Sequence, residues 1–202
     1  MLKELFEAFF YHSFNKFQDR ILMLNEHTKI GDFSLVDLNA CRDCRNVCSS
    51  NKDAREQLKL HSDQTTYILS IDQLFSFIND NLGERCDYLL EGADSTILVE
   101  MSCVTSDYVE SKRQKARKQL SNTICLLFAN PMVKSHMEKK KFHYVVFSWK
   151  ETFPDETEMD DAEKNMAGMT VMTDEVYSPD NESIFDYGFK YREIRYPDVL
   201  KC

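Results

Sequence analysis

Glycine is scarce in this chain, and the five that are present form no phosphate-binding loop. The chain contains neither the Gly-rich fingerprint of nucleotide-binding proteins nor the Gly-x-Ser-x-Gly turn that presents a nucleophilic serine. No segment repeats along the 202 residues. These absences argue against the common nucleotide-binding loops, serine-hydrolase chemistry and repeat architectures.

Long apolar runs are also missing, and none approaches the length that a membrane-spanning helix requires. Residues 1–10 contain Glu4 and Glu7 among their apolar positions, so they lack the uniform apolar stretch of a secretory signal. The seven cysteines are an odd number, which does not suit a closed disulfide framework. We therefore expect a cytoplasmic protein in a reducing environment, without membrane association.

Net positive charge is lacking, since the formal charge is −9. This argues against a broad nucleic-acid-binding surface, because Lys and Arg contacts with phosphates supply most non-specific affinity. The charge is unevenly spread, with basic runs at 112–118 and 134–141 and an acidic block at 155–163. A local basic patch can still bind a phosphate backbone, and the acidic block can face another protein.

Residues 86–119 are the most informative part of the chain, because two β-prone runs joined by a turn precede a basic helix. Leu90 and Ile97 should face each other across the turn. Asp87 lies three residues before Leu90 and Glu100 lies three residues after Ile97, so the same pairing makes Asp87 and Glu100 cross-strand neighbours. Like charges in such positions destabilise a sheet unless a cation lies between them or solvent and basic groups screen them. A hard metal ion is one explanation for the pair.

Alternation along the second run puts Glu100 and Ser102 on the same face of one strand. With Asp87 before them, these residues resemble the PD-(D/E)xK nuclease superfamily. That family has an Asp on one strand, a Glu-x-Lys triplet on the next, and a following helix that often carries a Gln. Asp87 matches the Asp, Glu100 matches the Glu, and Gln119 matches the helix Gln. The resemblance covers about residues 70–150.

Two positions depart from the family pattern. Cys86 stands where the motif has a proline, which is often absent in the family. Ser102 stands where the family has its catalytic lysine, and a hydroxyl cannot replace an ammonium in stabilising the attacking water and the developing charge. Some members regain the ammonium from the following helix, and Lys115 is the predicted replacement here.

The basic segment at 110–127 is predicted to be an amphipathic helix. Its apolar stripe consists of Ala116, Leu120, Ile124 and Leu127. Residues spaced three, four and four positions apart form an adjacent polar face, namely Lys112, Lys115, Gln119 and Thr123. We predict phosphate binding by three basic residues, Lys112, Arg113 and Lys118. The alternative is that the basic residues form only a solvated helix face.

A third carboxylate from a helix before the strands sometimes completes the metal site in the resembled family. Glu56, Asp72 and Glu84 are candidates, and their spacing does not distinguish them. Ser70 and Gln73 form a capping box that predicts the start of such a helix, which should end near Gly83. With a buried strand predicted at 142–149, the order helix, strand, strand, helix, strand agrees with the family's core.

We predict an α/β fold, with a small mixed sheet flanked by helices and a restriction-endonuclease-like core at 63–150. An N-terminal helical region at 1–62 and an acidic, Met-rich and aromatic-rich extension at 151–202 should complete one compact domain. For segments outside the predicted core, the sequence is compatible with more than one structure.

At 2–23 a Phe-rich helix should pack either on the chain's own core or on a partner subunit. Residues 33–38 form either a short strand or the lead into a helix, and residues 185–196 form either a last strand or an interaction arm. The segment 159–172 suits a flexible surface loop or a partner contact.

Cys41, Cys44 and Cys48 contain one Cys-x-x-Cys pair, which is half of the usual zinc or iron–sulfur pattern. His61 is a candidate fourth ligand. The same spacing aligns the three thiols on one helical face, where cysteine behaves as a small buried hydrophobe. No second Cys-x-x-Cys pair is present to close a tetrahedral site. We therefore predict structural thiols and no metal at these cysteines.

Three functions are compatible with these features. The first is a subunit of a bacterial or phage-related nucleic-acid-processing or anti-phage defence complex, whose nuclease fold is catalytically degenerate and acts by binding nucleic acid or protein, without a metal. The second is an active endonuclease in which Asp87 and Glu100 hold Mg²⁺ or Mn²⁺, Lys115 supplies positive charge and Gln119 orients a phosphate or water. The third is an acidic immunity or inhibitor module that binds a basic protein. Ser102 favours the first.

Overall fold

The computed structural model describes residues 2–6, 26–36, 48–49, 56–78, 83–104, 108–151 and 182–202, which contain both helices and strands. The helices are α1 (Leu2–Leu5), α2 (Ile71–Ile78), α3 (Val109–Phe128), α4 (Pro131–Met137) and α5 (Glu182–Asp186). The strands are β1 (Glu26–Val36), β2 (Cys48–Ser49), β3 (Glu56–Ser70), β4 (Tyr88–Glu91), β5 (Ser95–Val104), β6 (Phe142–Glu151), β7 (Lys190–Arg195) and β8 (Val199–Lys201). The fold is α/β, as predicted.

One mixed sheet contains all eight described strands. Its order is β2-β1-β3-β4-β5-β6-β7, and β8 pairs with β3 instead of extending the β7 edge. The strands from β1 to β5 pair antiparallel, whereas β5, β6 and β7 run parallel. The sheet is larger than predicted, because part of the region 1–62, which we predicted to be helical, forms β1, β2 and the start of β3.

The sheet bends back on itself through its longest strand, β3. The end of β3 pairs with β4, where Ser70 lies opposite Tyr88, and its beginning pairs with β8, where Leu60 lies opposite Leu200. The turn after β7 contains the cis peptide bond between Tyr196 and Pro197 and leads the chain from β7 to β8. The strand at one edge is thereby connected to the middle of the sheet.

Two hydrophobic clusters cover the two faces of this sheet. Leu98 belongs to the cluster between the sheet and the helices, together with Phe75, Leu120 and Phe147. Val99, the next residue along β5, belongs to the cluster enclosed by the bend. Because successive side chains of a strand point to opposite faces, β4 and β5 are buried on both sides and are almost continuously apolar. Truncating such a core side chain to Ala costs about 2–5 kcal/mol.

The predicted amphipathic helix is confirmed as α3, which extends one residue beyond each end of the predicted segment. All four residues of the predicted apolar stripe are buried against the sheet. The helix packs on β5 and β6. Its polar face therefore borders the sheet beside β5.

The order helix, strand, strand, helix, strand is present as α2, β4, β5, α3 and β6, with the short α4 inserted before β6. The residue before α4 explains why that helix begins where it does. Asn130 Oδ1 accepts hydrogen bonds from the backbone N–H groups of Met132 and Val133, at 3.0 and 3.2 Å. Pro131 occupies the first helical position, where its missing N–H has no cost.

For several segments outside the predicted core, the described residues show which of the alternative structures forms. Residues 33–36 are strand, and residues 190–195 form the parallel strand β7. Phe6 is buried in the chain's own core, where its ring meets Phe75 edge-on at 6.5 Å. The rest of the predicted helix at 2–23 lies outside the described residues, as do residues 79–82 and the segment 155–172.

The three clustered cysteines do not share one helix. Cys48 lies in β2, opposite Leu35 of β1, so a helix continuous through all three positions is wrong. Cys41 and Cys44 lie outside the described residues. Across the described ranges, no helix combines the length and apolar character needed to span a bilayer.

Candidate functional site

A cleft of about 540 Å³ lies between α3 and the sheet, where the segment before β4 meets β5. Its polar and charged lining comprises Asp72, Glu84, Arg85, Asp87, Glu100, Ser102, Lys112, Lys115 and Gln119. All four residues predicted as catalytic are in this set. The structure therefore brings together side chains from α2, β5, α3 and the approach to β4.

The register of the β4 and β5 pair leads to the two carboxylates Asp87 and Glu100, which line the same cleft. Leu90 lies opposite Ile97, as predicted, and the last pair before the cleft is Tyr88 with Val99. Asp87 lies just before β4, and its Oδ2 accepts a hydrogen bond from the backbone N–H of Met101 at 2.8 Å. This bond ties Asp87 to the strand that carries Glu100.

Glu100 is a largely buried carboxylate, with 8% of its surface exposed. It lies opposite Phe147 of the parallel strand β6, whose ring also lines the cleft. The neighbouring Cys86 is fully buried, and burial raises the pKa of its thiol well above the usual value, with the charges of Glu100 and Asp87 adding to the effect. Cys86 is therefore protonated and unsuited to act as a nucleophile.

The segment that leads to Asp87 is held by polar side chains of α3. Gln119 Nε2 donates a hydrogen bond to the carbonyl oxygen of Arg85 at 2.9 Å. The backbone N–H of Cys86 donates to Thr123 Oγ1, also at 2.9 Å. The polar face of α3 therefore fixes the backbone on which Asp87 sits, and Gln119 has a structural partner in addition to its place in the cleft.

Arg85 is a buried cation of the cleft that the sequence analysis did not identify. Its side chain is 7% exposed, and its Nη2 lies 3.2 Å from Oδ1 of Asp72, which is 32% exposed. No local pattern in the sequence marks Arg85 as part of the cleft, because residues 83–86 form no helix or strand. The partner on α2 was not recognisable from spacing.

Two lysines of α3 face the same cleft. Lys115 Nζ lies 3.7 Å from Oε1 of Glu84, and both side chains are about half exposed. Exposed pairs of this kind contribute about 0–1 kcal/mol, so Lys115 can exchange Glu84 for another anion at little cost. Lys112 is exposed at the mouth of the cleft, one helical turn earlier.

Arg113 and Lys118, which we predicted to bind phosphate, do not line this cleft. Arg113 forms a fork on Glu193 of β7, with Nε at 2.5 Å and Nη2 at 3.0 Å from the two carboxylate oxygens. Its hydrogen bonds to Glu193 raise the pKa of Arg113, and they attach α3 to β7. Lys118 borders a separate depression on the outer face of α3, together with Gln114 and Asn122.

The donor set of the cleft fits a hard divalent cation. Mg²⁺ is commonly held in proteins by one or two carboxylates, with waters and substrate phosphate oxygens completing its shell. Asp87 and Glu100 provide the two carboxylates. Among the described residues, no group of three or more His, Cys, Asp and Glu side chains is arranged to hold a metal by itself.

A second buried polar cluster lies at the opposite end of β4 and was not predicted. Glu91, with 7% of its side chain exposed, meets His136 Nε2 at 2.6 Å and Lys140 Nζ at 3.0 Å. Burial by itself raises the pKa of Glu91, but the hydrogen bonds from these two side chains outweigh it, so the pKa is lowered overall. Lys140 also donates to the carbonyl oxygen of Gly92 at 2.8 Å. The cluster joins the end of α4 to the turn between β4 and β5.

Comparison with models of protein families, with curated proteins and with solved structures found no significant match for this chain.

Proposed function

We propose that this protein is a divalent-metal-dependent phosphodiesterase that cleaves nucleic acid in the cleft between α3 and the sheet. The observation that carries the proposal is that one cleft holds Asp87, Glu100 and Lys115. Two neighbouring carboxylates on a sheet destabilise each other, and a bound cation relieves that cost. A lysine at the same cleft then supplies positive charge for an anionic substrate.

Each of these residues has a chemical role in the proposed reaction. Asp87 and Glu100 would hold Mg²⁺ or Mn²⁺, which supplies Lewis-acid activation of a water and of the phosphate. Lys115 carries its ammonium on a flexible four-carbon chain that reaches the cleft from α3. It would stabilise the charge that develops on the phosphate, a role that the Ser102 hydroxyl cannot fill.

The charge distribution supports a role within an assembly. The net charge of −9 gives the isolated chain little general attraction for nucleic acid. Partner subunits would supply the remaining phosphate contacts. A bacterial or phage-related nucleic-acid-processing or anti-phage defence complex is the setting that the family resemblance suggests.

A catalytically degenerate subunit is the second candidate, and two observations favour it. Ser102 lines the cleft where the resembled family has its lysine. Asp87 already has a structural partner, because its Oδ2 accepts a hydrogen bond from the backbone N–H of Met101. In this case the cleft would bind nucleic acid or protein without cleaving a bond, and no metal would be required.

Cleavage assays with the purified chain separate the two candidates. The substrates are plasmid DNA, single-stranded DNA and single-stranded RNA, each incubated with Mg²⁺ or Mn²⁺ and, as a control, with EDTA. The proposal expects cleavage of at least one substrate that depends on the divalent ion. Absence of cleavage of all three by the chain, alone and with the proteins that co-purify with it, would contradict the proposal and favour the degenerate subunit.

A further inference from the structure

We propose that Arg85 is the residue that binds the substrate phosphate in this cleft, through the non-bridging oxygens of one phosphodiester. This inference rests on the proposed function. Arg85 lies outside the motif on which the family resemblance depends. Its burial, its placement and the chemistry of its side chain carry the assignment.

Arg85 lies on the same short segment before β4 as Asp87. In the segment 83–87 before β4, Cys86 is fully buried in the cluster between the sheet and the helices, and the residues on either side of it line the cleft. Arg85 and Asp87 are therefore both part of the cleft wall, and Asp87 is one of the two carboxylates proposed to hold the cation.

The backbone that carries Arg85 is held in place by α3. The carbonyl oxygen of Arg85 accepts from Gln119 Nε2 at 2.9 Å, and the carbonyl oxygen of Glu84 accepts from Asn122 Nδ2 at 3.5 Å. The next residue along the chain is anchored to Thr123. A cation held by a fixed backbone needs little reorganisation when an anion arrives, which favours binding.

The chemistry of the side chain matches a phosphate. A guanidinium is always charged, and its planar set of five donors can bind two phosphate oxygens at once. With 8% of its surface exposed, Arg85 lies in a setting where charges attract more strongly than in water. An anion that enters the cleft meets this group beside the two central carboxylates.

A substrate phosphate can replace the Asp72 carboxylate as the partner of Arg85. The pair formed by Asp72 and Arg85 is itself part of the cleft wall, since both side chains line the cleft. The one bond between them is 3.2 Å long, and Asp72 is partly exposed to solvent. Asp72 therefore competes with a phosphate for the guanidinium.

A purely structural ion pair makes a different prediction, and two substitutions separate the roles. Arg85→Lys keeps the charge but removes the planar fork, and we expect it to weaken nucleic-acid binding about tenfold or more, as for loss of a charge-assisted hydrogen bond. Asp72→Asn removes the competing carboxylate, and we expect equal or tighter binding. If the pair only holds α2 in place, both substitutions should lower Tm and Asp72→Asn should not preserve binding.

Binding is measured by fluorescence anisotropy with short fluorescein-labelled single-stranded DNA and RNA. Ca²⁺ replaces Mg²⁺ in the assay because it accepts the same oxygen donors. Arg192→Lys is the matched control, since Arg192 lies over the ring of Tyr144, on the face of the sheet away from the cleft. Glu100→Gln is measured in parallel to test the site itself.

The outcomes are distinguishable. Weaker binding by Arg85→Lys, with Asp72→Asn and Arg192→Lys binding at least as well as the unaltered protein, supports the assignment. If Glu100→Gln weakens binding and Arg85→Lys does not, the role of Arg85 is overturned while the proposed function stands. Loss of binding in Asp72→Asn also overturns the role of Arg85, whatever the stability of Arg85→Lys. Both proposals are overturned if the unaltered protein does not bind nucleic acid, or if neither Arg85→Lys nor Glu100→Gln changes the binding.

Discussion

At the scale of single residues, the proposed chemistry depends on an ammonium that comes from α3 and not from β5. Ser102 occupies the strand position, and Lys115 reaches the same cleft with only an exposed, 3.7 Å contact to Glu84. If this ammonium stabilises the transition state, its loss should affect the chemical step more than substrate binding.

We therefore expect Lys115→Ala to lower kcat of the divalent-dependent cleavage by about 10²–10³. Lys118→Ala is the matched control, because Lys118 lies on the same helix but borders a different depression. Single-turnover cleavage rates at saturating substrate provide the measurement. Equal losses in the two variants would show that general helix charge, and not a positioned ammonium, is what matters.

A second prediction concerns pH and the buried Glu91. The folded state lowers the pKa of Glu91 below its usual value of 4.5, since the hydrogen bonds from His136 and Lys140 outweigh burial. A carboxyl with a lowered folded pKa stabilises the protein above the unfolded pKa and loses that contribution as the pH falls through the folded pKa. The free energy of unfolding should therefore decrease below the usual pKa of Glu91.

Urea unfolding as a function of pH measures this effect in the unaltered protein and in Glu91→Gln. Glu91→Gln should be less stable at neutral pH, and the two stabilities should converge as the pH falls. Curves that remain parallel from neutral to acidic pH would show that the charge of Glu91 contributes nothing to stability.

The residues of the cleft were only partly predictable from the sequence. Asp87 and Glu100 could be located because a tight turn and the two-residue period of strands fix which positions are opposite. Arg85 was missed because its significance depends on Asp72 from α2. The bond between Glu91 and His136 was missed because 45 positions separate the two residues and no local pattern links them.

At the scale of secondary-structure elements, α3 connects the core to the cleft. Its apolar stripe is buried on the sheet, and its polar face holds the segment before β4. Thr123 is central to this connection, because Oγ1 accepts from the backbone N–H of Cys86 at 2.9 Å and donates to the carbonyl oxygen of Gln119 at 2.8 Å. It is fully buried.

We expect Thr123→Val to destabilise the protein by about 1–3 kcal/mol, because the shape is retained while the buried N–H of Cys86 loses its acceptor. Ser121→Ala, at a partly exposed position of the same helix, should change stability by no more than about 0.5 kcal/mol. Urea unfolding of both variants provides the test. A Thr123→Val variant as stable as Ser121→Ala would show that α3 does not hold this segment.

The elements themselves were predictable where the period of apolar residues is regular. The stripe of α3 and the hairpin of β4 and β5 follow from such periods. β1 was not recognised in full, because its pairing with β3 shifts register between Lys29 and Gly31. Gly31 has a φ of +78°, and an irregularity at this point interrupts the alternation of inward and outward side chains.

At the scale of the whole molecule, the α/β class could be predicted but the closure of the sheet could not. The pairing of β8 with β3 joins Leu200 to Leu60, which are far apart in the sequence, and nothing local in either strand specifies the partner. This closure encloses the second hydrophobic cluster and gives the central strands two buried faces. The cleft beside α3 is therefore built on strands that are buried on both faces.

The proposed function requires that Asp87 and Glu100 together hold one divalent cation in that cleft. Calorimetric titration with Mn²⁺ measures this binding without knowledge of the natural substrate. The unaltered protein should bind one ion, and Glu100→Gln should bind it at least about tenfold more weakly, since one of two carboxylate ligands is lost while the isosteric amide preserves the fold. No Mn²⁺ binding by the unaltered protein, or equal binding by both, would contradict the claim.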